Sequence, residues 1–194
     1  MRKKVAMFFV ISILVLTACV PSSISEEDRS RIFVASLQEN WHKLETKALD
    51  WRSDAYLTEV IIPIDVDSPL PGEFLIHAYY FSVSDNNEML VVRLDQNGEL
   101  HSSVSALAQP MSAQPIVNAD WQIDSMEALK FLLTDEDIEF LFSNTDNNCS
   151  TLDLDRNPRV GKDIVVWRIL VHGCVGSDYM HDENMNAISG EKIK

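Results

Sequence analysis

The pattern of apolar residues along this 194-residue chain predicts an α+β fold of two repeated units, each a helix packed on a small antiparallel sheet. Helical periodicity precedes runs of strand-forming residues instead of alternating with them, which places helices on one face of an antiparallel sheet. "DWRSDAYL" (Asp50 to Leu57) is echoed about 70 residues later by "DWQIDSMEAL" (Asp120 to Leu129). Strands then follow each echo and close on a Gly-Glu pair, Gly98-Glu99 in one case and Gly190-Glu191 in the other.

The chain opens with Arg2, Lys3 and Lys4, then an apolar run from Val5 to Leu16. That run is shorter than the roughly 20 residues a membrane-spanning helix needs, so residues 1–18 are expected to be a secretory signal peptide. It ends in Leu16-Thr17-Ala18-Cys19, which resembles a bacterial lipobox and implies lipidation at Cys19. The expected location is the cell envelope, at the inner face of an outer membrane or the outer face of the cytoplasmic membrane. Acyl chains hold such a protein because each buried methylene contributes about 0.8 kcal/mol. Net charge is −14, and about −17 without the three leading basic residues. Nucleic acid is excluded as a partner, since its phosphates need Lys and Arg to displace counterions. A basic protein is the partner this charge admits.

Residues 19–24 read as a tether, and residues 25–104 as an N-terminal unit with a long first helix. Ser25 followed by Asp28 fits a capping box. Phe33, Leu37, Trp41, Leu44 and Ala48 recur at helical spacing, which predicts one helix over 26–48 with Trp41 in its packed stripe. Ser53 is an N-cap candidate for a short helix through Ala55 and Leu57. Strands are expected over 73–83, 88–94 and 99–104, with a tight turn at Asn97-Gly98.

Residues 105–118, rich in Ala, Ser, Gln and Pro, read as a linker. The C-terminal unit, 119–194, restarts at Trp121. Asp124 or Ser125 caps a helix carrying Met126, Leu129, Leu132 and Leu133, and "TDED" starts another. Strands follow at 149–154 and 164–174, with Val165, Trp167 and Ile169 expected in the core. "WQIDSMEAL", "VVWRILVH" and "MNAISGEK" together resemble a PepSY-type domain. Ala128, Trp167, Ala187, Gly190 and Glu191 match that family's pattern; Asn186 stands where it often has Asp, and Ser189 where it often has Thr. The likeness covers 118–194 and, more faintly, 48–104. It implies a small module of secreted and envelope proteins, with protease inhibition or regulation of envelope enzymes as its role.

Catalytic signatures are missing from the sequence: it contains no P-loop, nucleophile elbow, HExxH or Rossmann glycine pattern. Cys149 and Cys174 remain as an even pair once Cys19 carries lipid, and in an oxidising compartment they are expected to form a disulfide. Asp153, Asp155 and Asn157 alternate like calcium-loop ligands, but Pro158 occupies the place of the sharp-turn glycine, so a hairpin turn is the preferred reading. His172 and His181, with Cys174, Asp178 and Asp182, form a second candidate metal group. No cofactor is expected. The leading functional reading is a non-catalytic binding or regulatory module that holds or inhibits an envelope protein such as a peptidase. A small-ligand or metal-binding envelope sensor is the alternative, and a hydrolase comes third. Replacing Cys19 with serine is expected to move the protein from the membrane to the soluble fraction and abolish acylation, as read by fractionation and mass spectrometry.

Overall fold

The computed structural model describes residues 24–69, 72–109, 113–156, 164–176 and 178–193; Cys19 with its lipobox, and Asn157, lie outside them. Ser25 caps α1 (Glu26–Ser30), accepting from the Asp28 amide at 3.0 Å. The long helix expected over 26–48 is interrupted. Ile32–Phe33 form a short strand, β1, that pairs with β3 (Asp65–Val66). Arg31 clamps this pairing by donating to Asp67 from Nε at 2.6 Å and from Nη2 at 2.8 Å. Ser36 then caps a new helix, α2 (Leu37–Trp51), accepting from the Glu39 amide. Leu37, Leu44 and Ala48 of the expected stripe are buried on α2, whereas Phe33 belongs to the strand.

The helix expected at 53–57 is also absent: Ala55 begins β2 (Ala55–Pro63). β-Branched Thr58, Val60, Ile61 and Ile62 favour the pleated state. β4 (Phe74–Ser82), β5 (Glu88–Asp95) and β6 (Leu100–Ala106) follow as successive antiparallel neighbours. After a 3₁₀ turn come α3 (Ser125–Leu132) and α4 (Asp135–Ser143). A second run of neighbours follows: β7 (Thr151–Asp155), β8 (Val166–His172), β9 (Met180–Asn186) and β10 (Lys192–Ile193). The first strands of the two runs, β2 and β7, pair with each other, so all eight lie in one antiparallel sheet ordered β10-β9-β8-β7-β2-β4-β5-β6. The architecture is α+β: a few helices with a large antiparallel sheet.

The two tryptophans of the sequence echo occupy unlike places. Trp51 ends α2 and leads into a strand, while Trp121 precedes α3. The Gly-Glu turns do correspond, each closing the last hairpin of its four-strand run. In the first, the Asp95 carboxylate accepts the Asn97 and Glu99 amides, and Gly98 takes φ +77°. In the second, the Asn186 side-chain oxygen accepts the Ile188 and Ser189 amides, and Gly190 takes φ +74°. Positive φ at that point is what glycine supplies at little strain.

The helices cover one face of the sheet. Leu57, Val60, Ile76, Val92, Leu154 and Ile169 form one buried cluster with Leu44 of α2 and Leu129 of α3. Trp167 is fully buried there, its Nε1 donating to the Ile123 carbonyl at 2.7 Å, and Val165 and Ile169 are buried as expected. Among the described residues no helix is long and apolar enough to cross a membrane.

Cys149 and Cys174 are disulfide-bonded, with Cα atoms 4.9 Å apart. Register continues regularly from Leu152↔Ile169 through Thr151↔Leu170 to the Asn148↔Gly173 bridge, and the disulfide joins Cys149 to Cys174 diagonally across that bridge. A bridge closing this loop stabilises by about 3 kcal/mol. Mild reduction is therefore expected to lower the melting temperature by about 10 °C, as read by calorimetry.

Candidate functional site

Strand alternation gives the sheet a second face, opposite the helices. Phe81, Val91 and Val166 are buried yet stand outside the helix-side cluster, which identifies this face. A register shift between Leu57 and Glu59 sets what β2 contributes to it. Such a bulge moves the residues beyond it to the other side of the strand. Leu57 thus points to the helices while Glu59 and Ile61 point away from them. One row on this face runs across six strands in register: Arg93, His77, Ile61, Asp153, Arg168 and Asn184. The next row carries Tyr79 opposite Glu59, and Asp155 opposite Val166.

At the centre lie three carboxylates from two strands: Glu59 on β2, and Asp153 and Asp155 on β7. Asp153 is only 6% exposed, and its Oδ1 has no hydrogen-bond partner. Asp155 Oδ1 is likewise buried without a partner. Burial pushes the Asp153 carboxyl up to about 7; the Thr151 hydroxyl opposes this, while Glu59 and Asp155 add repulsion. Burial also raises Glu59, with Asp155 adding to it, and raises Asp155 against the pull of Arg168. Arg168 is the cation closest in register, but its guanidinium donates from Nε and Nη2 to Asp182 at 2.8 Å each. That two-pronged pairing leaves the Asp153 oxygen unmatched.

Of the metal candidates read from sequence, Asp153 and Asp155 do come together, but two residues apart on a strand and not in a loop. His172 and His181 are separated. His172 lies at the end of β8 with Nδ1 3.1 Å from the Gly173 carbonyl oxygen. His181 lies on the helix side, its Nδ1 2.8 Å from Oδ2 of the fully buried Asp137, which also accepts from the Tyr179 hydroxyl at 2.8 Å. Cys174 is in the disulfide, and Asp182 holds Arg168. Glu59 has no motif of its own; it joins the site only through the bulge and the β2–β7 pairing.

Two other places were candidates. Asp95, Glu99 and His101 bring ligand atoms within 4.8 Å of one another. However, Asp95 Oδ1 serves the turn amides, and its Oδ2 lies 3.0 Å from His101 Nε2. A cavity of about 610 Å³ between α1, β1 and α3 is lined by Ile32, Val34, Leu129 and Leu133 with Arg29 and Lys130, and none of its lining residues carries a buried, unpaired polar atom.

Compared with protein-family models, curated proteins and solved structures, the chain matches none.

A raised carboxyl makes the folded state hold a proton that the unfolded chain releases. Its contribution is fully present below about pH 4 and is lost as pH rises through about 7. Asp153→Asn is accordingly expected to raise the melting temperature by about 5–10 °C at pH 8 and hardly at all at pH 4. Thermal melts across that range check the sign.

Proposed function

We propose that this protein is an exported lipoprotein held to the envelope through Cys19. On this reading it is a non-catalytic binding or regulatory module for a basic envelope protein, and a peptidase that it holds or inhibits fits the role. The observation that carries the reading is the buried carboxylate Asp153, whose Oδ1 has no hydrogen-bond partner, beside Glu59 and Asp155 on the face without helices. An ionised group in that position destabilises the folded chain, because burial without a partner is unfavourable. A Lys or Arg side chain from a partner, seated between these carboxylates, reverses that effect and turns it into affinity. The charge of −14 draws such a partner in.

Two PepSY-like units are part of the proposal. The arrangement of α2 followed by β2-β4-β5-β6, then α3 and α4 followed by β7-β8-β9-β10, supports it. The matching Gly-Glu turns support it as well. The alternative is a small-ligand or metal-binding envelope sensor; for a metal, Asp95, Glu99 and His101 are the grouped ligands, and stabilisation by micromolar Ca²⁺ or Zn²⁺ would favour it.

The test uses the full-length chain crosslinked in its own membranes. A basic protein is expected to be recovered with the wild type and reduced at least tenfold with Glu59→Gln/Asp153→Asn, although that variant melts higher. Equal recovery with both forms overturns the reading.

A further inference from the structure

We infer that two copies of this chain join through β6, edge to edge and antiparallel, into one sheet of twice the width. This goes beyond the proposed function and does not rest on it.

The two edges of the sheet differ. β10 is a two-residue strand, whereas β6 runs for seven residues and is exposed from His101 to Ala106. An edge that long presents unpaired backbone groups to any other strand, and proteins ordinarily blunt it with Lys, a buried charge or Pro. The sequence Leu-His-Ser-Ser-Val-Ser-Ala has none of these, although 24% of the chain is charged. Among the described residues its edge is unguarded.

The direction of the free groups follows from the β5–β6 hairpin. The Asp95 amide donates to the Glu99 carbonyl at 3.0 Å, and the Leu107 amide donates to the Asn87 carbonyl at 2.7 Å. Hydrogen-bonded pairs alternate between those two ends. His101, Ser103 and Ser105 therefore bond inward to Arg93, Val91 and Met89. Leu100, Ser102, Val104 and Ala106 point their amides and carbonyls outward.

The occupant is set by self-complementarity and charge. A twofold axis at Ser103 places Ser102 opposite Val104 of the second copy and Leu100 opposite its Ala106. All four outward residues then bond to their counterparts, and Val104, 48% exposed, is covered. Ser103 meets itself and His101 meets Ser105, so no charged side chain faces its like. That matters for a chain of net charge −14, which elsewhere repels a second copy. The small side chains of β6 offer backbone pairing without pockets for a foreign sequence.

The register makes the test sharp. Facing residues of a non-hydrogen-bonded pair lie about 4.5 Å apart at Cα, within disulfide range. Cys149 and Cys174 are bonded to each other, so a thiol added at 103 has no partner at either of these cysteines. Full-length Ser103→Cys, oxidised in its own membranes, is expected to run on a non-reducing gel at twice the mass that the same protein shows after reduction. Ser105→Cys should give at least tenfold less of that band. Adding Val104→Pro, which removes only an outward amide and leaves the β5 pairing intact, should abolish it. No dimer band at 103, equal bands at 103 and 105, or a band that survives the proline overturns the inference. A crosslink from 103 to a different protein also overturns it and assigns the edge to that protein.

Discussion

Much of this fold depends on one buried hydroxyl. Ser125, at the start of α3, is fully buried; its Oγ donates to the Ala35 carbonyl at 2.7 Å and accepts the Leu37 amide at 3.0 Å. Next to it, Asp124 Oδ1 accepts the Gln38 amide at 2.9 Å. The first turn of a helix leaves its amides without intrahelical partners. Here α2 has those amides satisfied by the start of α3, with its own Ser36 serving Glu39. The two helices are thereby joined at their N-termini, and each covers a different half of the sheet. Trp41 of α2 packs on Trp121 beside this junction, ring centroids 5.4 Å apart. Losing the Ser125 hydroxyl would leave the buried Leu37 amide unpaired and loosen the join between the two helices.

That arrangement shows what a single sequence can and cannot tell. Asp124 and Ser125 are legible as caps, but for α3; nothing local shows that their oxygens serve α2. Strands β4, β5 and β8 are legible because alternation and β-branched residues are properties of the segment itself. The break between α1 and α2 is not, since Ile32 and Phe33 leave the helix to pair with Asp65 and Val66, more than thirty residues away. The stretch 53–57 reads as helical from Ser53 and Ala55, yet pairing with β4 overrides that weak preference.

The candidate site divides the same way. Asp153 and Asp155 stand out as alternating carboxylates, and the disulfide follows from counting cysteines. Glu59 stays hidden because a strand bulge sets its direction and a partner strand roughly ninety residues away sets its company. Its surroundings then depart from ordinary stability rules, with two buried oxygens unmatched and Arg168 held by Asp182. Departures of this kind collect at working surfaces, where a stable resting fold is not the only requirement.

The seam between β2 and β7 has a consequence for how the chain is assembled. Each four-strand run can zip up from neighbouring hairpins with little loop-closure entropy, but Ile61 meets Asp153 only across a long span of chain. As the polypeptide emerges N-terminus first, β2 waits with one side unpaired until β7 has been delivered. The same pairing brings Glu59 up to Asp153 and Asp155, so the electrostatic repulsion of the acidic face falls on a long-range contact. A cation bound there acts as a clasp across the seam, holding the two halves of the chain together from outside.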